Sequence, residues 1–251
     1  MMRLYLIRHA QSENNALYAA GDSFVGRQVD PGLTAVGQAQ AKRLAANLAA
    51  RQAGAETSDS DHRDVRERRG LKLTHIYTSL MQRAILTARP LAETLGLPMR
   101  AWIDLHEWWG YYDLDHESGE RTGLPGPGRA HFEERHPDLE LPTEMGAEGW
   151  WSRPVETAAQ WTARAERVVA TLRRRHLANG DHVVLVTHAG FTQSLLGILL
   201  NQSSPNPRLG EPLEVWFMVN NAAVTRVDVE DEAVILAYSN RLEHLPEELV
   251  T

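Results

Sequence analysis

Cysteine is missing from this chain altogether. That removes disulfides, thiolate metal ligands and every phosphatase chemistry that starts from a cysteine nucleophile. Excess positive charge is missing too. The 251 residues carry a formal net charge of −7, which argues against a nucleic-acid partner. No apolar run approaches the length of a membrane span, so no membrane partner is expected. The first apolar run is interrupted by Arg8 and His9, unlike a signal peptide, and a cytoplasmic protein is expected. There is no Walker loop. None of the eleven histidines forms a His-Glu-x-x-His pair, so that helical zinc site is absent as well.

What is present fits one α/β domain over residues 1–251, with 43% hydrophobic residues to build its core. Continuous apolar runs predict strands at 4–7, 75–78, 182–187 and 215–219, of the kind covered on both faces. A hairpin is predicted from 224–229 and 234–238 across the turn Glu230-Asp231-Glu232. Helical patterns fill the gaps. One spans 35–50 with Thr34 as N-cap. One begins at Ser79-Leu80-Met81-Gln82, which has capping-box spacing, and runs to about Gly96, with Pro90 expected to kink or divide it. A third spans 156–177 with Trp161, Ala165, Val168, Val169 and Leu172 on one stripe, and a fourth 191–200. Strands alternating with helices predict a three-layer α/β/α sandwich.

Two stretches break the alternation. Residues 52–70 are polar and dense in both charge signs, and read as a surface excursion. Arg63, Arg66, Arg68 and Arg69 are interleaved there with Asp64 and Glu67, as on a solvated face. Residues 105–154 have weak periodicity and contain Gly123-Leu124-Pro125-Gly126-Pro127-Gly128, so they read as an insertion capping the C-terminal edge of the sheet. Trp102, Trp108, Trp109, Trp150, Trp151 and Trp161 are six of the seven tryptophans, and they bracket or lie within it. Most are expected to form its own small core. Trp108 and Trp109 are the candidates for substrate contact.

The candidate chemistry lies at strand ends, where open α/β sheets bind ligands. Arg8-His9 follows the first strand and His188 follows Val183-Val184-Leu185-Val186-Thr187. A neutral imidazole at His9 can attack phosphorus if its other nitrogen is held as a donor. Arg8 and Arg83 supply fixed cations with fork geometry for phosphate oxygens. His188 and Asn15 add donors. Glu107, flanked by Trp108 and Trp109, is the candidate acid, because aromatic surroundings favour the protonated form a general acid requires. Asp104 and Asp113 are alternative acids nearby. His131 and His136, in a polar stretch, read as surface residues.

Five motifs in order carry a resemblance. They are Arg8-His9-Ala10-Gln11-Ser12-Glu13-Asn14-Asn15, Asp30-Pro31-Gly32-Leu33-Thr34-Ala35-Val36-Gly37 with Gln40-Ala41, Ser79-Leu80-Met81-Gln82-Arg83-Ala84 with Thr87-Ala88, Leu105-His106-Glu107 with Gly110, and Thr187-His188-Ala189-Gly190. Together they resemble the histidine phosphatase superfamily, the phosphoglycerate mutase-like group, from Leu4 to about Leu245. Ala10 and Ala189 stand where that group has glycine. The resemblance implies His9 as phosphohistidine nucleophile and Arg8, Arg83, His188 and Asn15 as phosphate pocket, with Ser12 and Ala189 beside it. Glu107 is the implied proton donor. No metal or other cofactor is implied. The implied ligand is a small phosphorylated substrate or inorganic phosphate. Mutases of the group carry Glu-Arg-His-Tyr-Gly at the acid, whereas Glu107-Trp108-Trp109-Gly110-Tyr111 stands here, which favours a phosphomonoester hydrolase. Mutase-type phosphoryl transfer and a non-catalytic phosphate-binding module are the alternatives. The ester and the oligomeric state are left open.

Overall fold

The computed structural model describes residues 1–21, 25–53, 64, 67, 70–200 and 215–251. Arg63, Arg66, Arg68 and Arg69 lie outside them. The strands are β1 (Met2–Arg8), β2 (His75–Thr78), β3 (Met99–Ala101), β4 (Tyr112–Leu114), β5 (Arg121–Gly123), β6 (Leu139–Glu140), β7 (His182–Thr187), β8 (Val224–Val229) and β9 (Val234–Arg241). The helices are α1 (Glu13–Ala19), α2 (Ala35–Ala53), α3 (Gln82–Leu95), α4 (Arg129–Arg135), α5 (Ala158–Leu172) and α6 (Ala189–Leu199). Seven strands form one mixed sheet in the order β6-β3-β2-β7-β1-β8-β9. The first five of these run parallel, β8 is antiparallel to β1, and β9 is antiparallel to β8. Among the described residues no helix is long and apolar enough to cross a membrane.

Period-2 alternation in β1 and β7 sorts the two cores. Tyr5, Ile7, Val184 and Val186 pack with Leu44 and Leu48 of α2 and Ile85 and Leu91 of α3. Met2, Leu4, Leu6, Val183 and Leu185 face the other way, onto Val168 and Leu172 of α5 and Phe191 and Leu195 of α6. Both faces are therefore buried, which is why these strands read as unbroken apolar runs.

Thr34 caps α2, accepting the Gly37 N–H at 3.0 Å. The capping box expected at Ser79 does not form. α3 starts after Met81, and Asp30, from a distant loop, accepts the Gln82 N–H at 2.9 Å. Pro90 does not divide α3, which continues to Leu95 and ends on a left-handed Gly96. The run 215–219 is not a strand, because β8 already occupies the edge of β1. Side chains pin it instead: both amide atoms of Gln193 bond the Phe217 backbone, at 2.5 and 3.0 Å.

Described residues of both irregular stretches are more integrated than the polarity of those stretches suggests. Leu139–Glu140 pairs with β3 and joins the main sheet, so the excursion from 105 to 154 returns to the core after its β4-β5 hairpin. Glu67 is not solvated. It is buried in ion pairs with Arg51 and Arg226, and Tyr238 donates to it at 3.1 Å. His136 is buried too, within 2.7 Å of the Arg89 guanidinium, while His131 is exposed.

Candidate active site

β1 and β7 are neighbours in register, with Arg8 opposite Thr187. The next residues, His9 and His188, therefore leave the sheet side by side, their ring centroids 5.1 Å apart. The His9 N–H donates to the Thr187 carbonyl at 2.9 Å, and the Ser79 N–H to Val186 at 3.1 Å. Three parallel strand ends thus meet at one point.

His9 Nδ1 lies 2.7 Å from the carbonyl of Ala10. With the proton on Nδ1, that contact is a hydrogen bond and the lone pair sits on Nε2. Arg83 Nε donates to that Nε2 at 3.2 Å. Burial, then the guanidiniums of Arg83 and Arg8, hold His9 well below its usual pKa, so the ring is neutral at neutral pH. His188 is pushed down in the same direction by burial, Arg83 and His9, and its Nε2 meets the Ser79 hydroxyl at 3.0 Å. Arg8 donates to the Val219 carbonyl at 2.7 Å. Burial lowers its pKa to about 10, still charged at neutral pH. Arg8 Nε and His188 Nδ1 are buried with no partner among the described residues. A buried guanidinium N–H left open in this way, beside the His9 imidazole, suits an incoming oxyanion.

Glu107 faces this group from the loop before β4. It does not sit in the purely aromatic surroundings expected from its neighbours. Its carboxylate accepts N–H bonds from Trp108 at 2.9 Å, Phe191 at 2.9 Å and Gly190 at 3.2 Å, the last two from the first turn of α6. The loop then turns sharply, with Trp109 and Gly110 at positive φ of 66° and 82°. A Cβ at 110 would also lie 2.1 Å from the Trp151 ring, so Gly110 is required twice over. Of the alternative acids, Asp104 pairs with Arg167 at 3.5 Å, and exposed Asp113 bonds the Leu114 N–H at 2.9 Å.

A family model for the histidine phosphatase superfamily, branch 1, matches residues 4–63 and 62–241. The chain belongs to that superfamily. It is an enzyme of phosphate-ester hydrolysis. A protein of Hydrogenobacter thermophilus, named provisionally as phosphoserine phosphatase 2, is 28% identical over 97% of this chain and 98% of its own length. Two solved structures share the fold. A mycobacterial glucosyl-3-phosphoglycerate phosphatase with VO3 has a TM-score of 0.58 at 22% identity, covering 96% of this chain and all 100% of that one. A phosphoserine phosphatase of Entamoeba histolytica with 3-phosphoglyceric acid has a TM-score of 0.57 at 17% identity, covering 98% and 100%.

Several residues singled out from the histidine phosphatase motifs have other work in the structure. Ser12 is buried as the N-cap of α1, its hydroxyl bonded to Asn15 Oδ1 at 3.0 Å. Asn15 spends that oxygen on Ser12 and on Asn221 at 3.1 Å, which leaves its Nδ2 as the donor to offer. Trp108 is 6% exposed, stacked on Trp161 at 4.9 Å and bonded through Nε1 to Ser194 at 2.9 Å. A ring so held belongs to the core between α5 and α6. Ala10 avoids positive φ and packs against Leu33, Ala41 and Ala222, so alanine in place of the family glycine meets no strain. Ala189, half-buried, simply opens α6.

Reading the sequence missed three groups. Asp30 holds Arg83, 3.8 Å from its NH1. Asn221 donates to the His9 carbonyl at 2.9 Å. Arg164, fully buried, binds Glu156 at 2.7 Å and donates to the carbonyls of Asp104 and His106 at 2.8 and 2.9 Å, bracing the loop that carries Glu107. The signal for Arg164 was available, since a charged residue on the apolar stripe of α5 needs a buried partner.

Proposed function

We propose that the protein hydrolyses a small phosphomonoester through a phosphohistidine on His9, without a metal. The carrying observation is the Nδ1 contact of His9 with its neighbour's carbonyl, which aims a neutral Nε2 at the space shared with Arg8, Arg83 and His188. The Nε2 lone pair forms the N–P bond as the ester P–O bond breaks. Glu107 gives a proton to the departing alkoxide. Water then attacks phospho-His9, Glu107 takes its proton, and the P–N bond breaks to release orthophosphate. Arg8 and Arg83 carry the charge on the non-bridging oxygens throughout, which is the service a metal renders elsewhere.

The rim favours an ester with a second anionic group. Arg121 stacks over Trp109 at 4.3 Å and Arg27 over Tyr112 at 4.4 Å. Tyr112 and Arg27 lie close enough to Arg83 to bias its charge. Arg121 Nε is buried without a partner among the described residues. Names among the relatives that mention phosphoserine and phosphoglycerates agree with such an ester.

The deciding assay is hydrolysis of an aryl phosphate in excess EDTA by wild type and His9→Ala. An aryl leaving group needs little acid assistance, so the assay isolates nucleophile and pocket. Activity that survives EDTA and disappears in the variant supports the reading. Activity that EDTA removes, or that His9→Ala retains, ends it.

A further inference from the structure

At the opposite end of the parallel strands from His9, three side chains converge that the phosphatase chemistry does not use. His75 opens β2, Asp181 immediately precedes β7, and His176 lies in the wide helical turn Arg173–Leu177 that continues α5. Asp181 Oδ2 is 2.7 Å from His176 Nδ1 and 3.9 Å from His75 Nδ1, and one ligand atom from each residue lies within 4.8 Å of the others. The two imidazoles meet edge to face at 4.6 Å.

We propose that His75, His176 and Asp181 form a binding site for a zinc-class divalent cation. Two imidazole nitrogens with one carboxylate oxygen suit zinc and its neighbours rather than magnesium or calcium, which take oxygen ligands. Ligand atoms around a tetrahedral zinc stand about 3.3 Å apart, given metal–ligand bonds near 2 Å. The two separations from Asp181 bracket that value and the whole set lies within 4.8 Å, so closure draws half-buried His75 and Asp181 in toward His176.

The surroundings are those of a supported ligand set. Tyr77 Oη lies 3.2 Å from His176 Nε2 and holds that ring with Nδ1 toward Asp181. Thr74 Oγ1, 2.9 Å from His75 Nδ1, both donates to the His182 carbonyl and accepts the His182 N–H. His75 therefore supplies the proton in that contact, and metal binding moves it to Nε2 without changing the charge of the ring. Arg100, a cation beside His75, is already paired with Glu140 at 2.8 Å. The His176–Asp181 bond alone would close the turn before β7. It gives no reason for a second imidazole to stand with its ring against the first. A bound ion would tie the end of α5 to the starts of β2 and β7, two neighbouring strands of the central sheet.

The test is titration of the EDTA-stripped full chain with Co²⁺, read by the visible absorption of tetrahedral cobalt, then displacement by Zn²⁺. The expected result is one equivalent bound with a Kd near or below about 10 µM, unchanged in His9→Ala. Binding should weaken at least 100-fold in His75→Ala and in Asp181→Asn. Both variants should keep aryl phosphatase activity, which shows that they fold. Zn²⁺ should raise the melting temperature of wild type and leave that of His75→Ala unmoved. Binding that survives in His75→Ala and vanishes in His9→Ala assigns the ion to the catalytic histidines and overturns the proposal. So does the absence of binding up to about 1 mM.

Discussion

At position 190 a single added carbon would lie 2.6 Å from Glu107 Oε1 and 2.6 Å from the Trp108 ring. Gly190 is helical, so the demand is for space and not for an unusual backbone. Trp108 cannot yield, being stacked on Trp161 and bonded to Ser194, and the carboxylate must move instead. Gly190→Ala should therefore lower kcat on an alkyl phosphate by about 10²-fold, within the range of general acid catalysis. On an aryl phosphate the loss should be much smaller, since that leaving group needs no proton. Equal losses on both would mean that the substitution damages the pocket rather than the acid. At this scale the sequence shows residue types better than it shows their partners. His9, Arg83 and His188 could be read at strand and helix ends because position in the fold follows from the apolar runs before them. The seat of Glu107 could not. Two of its three donors come from α6, 83 and 84 residues away, and nothing in the local pattern around Glu107 encodes that meeting. Ser12 and Trp108, beside the chemistry, also serve the scaffold, one as the cap of α1 and the other stacked on Trp161.

Elements are held in register by a few long-range polar contacts set into apolar packing. α5 is the clearest case. Its apolar stripe buries Trp161, Ala165, Val168 and Leu172, and Arg164 sits among them, bonded to Glu156. Arg164→Met would keep the volume and leave buried Glu156 with only its longer contacts, to Arg153 at 3.6 Å and His106 at 3.8 Å. Such a loss costs about 3–5 kcal/mol, where a surface pair would cost under about 1 kcal/mol. Urea unfolding should show a lower midpoint at unchanged slope, and adding Glu156→Gln should restore part of the loss. The same variant should reduce kcat, because Arg164 holds the carbonyls on either side of Leu105 and so sets the approach of Glu107. If Arg164→Met is as stable as wild type, the network is not a brace. The periodicity of the helices made all four of the long ones legible, with errors at their ends. The late start of α3 has a clear cause: it is capped by Asp30 from another loop, which no local motif records. The run 215–219 was misread because an apolar stretch marks burial opportunity, while a strand also needs a free edge.

Across the whole molecule, burial of histidines without neutralising partners sets how stability responds to pH. His9, His106 and His188 are held well below their usual value by burial first and by neighbouring cations second. His182 is lowered to about 4 by burial and then by Arg3 and Arg226. Each is neutral in the folded chain at a pH where the unfolded chain has begun to take up a proton. The unfolded state then binds more protons, so stability is full above about pH 6.5 and is lost as pH falls toward the folded values. Asp30 works against this, since its raised value retains a proton that the unfolded chain gives up above about pH 4, but it is one group against several. On the alkaline side Tyr5 and Tyr111 are raised by burial, Tyr111 to about 12, so stability is present below about pH 10 and lost above it. The expected profile is a plateau between about pH 6.5 and 10. Between pH 5 and 6.5 His182 alone accounts for about 2 kcal/mol, from 1.36 kcal/mol per unit. A chain of this size shifts its melting temperature by roughly 2–4 °C for each kcal/mol. The melting temperature should thus fall by at least about 5 °C from pH 7.5 to pH 5. Inorganic phosphate should reduce the fall, because an anion between Arg8, Arg83 and His188 favours the protonated imidazole in the folded state. A melting temperature that is flat down to pH 5, with or without phosphate, would mean that these histidines already share their protons with partners the fold does not display.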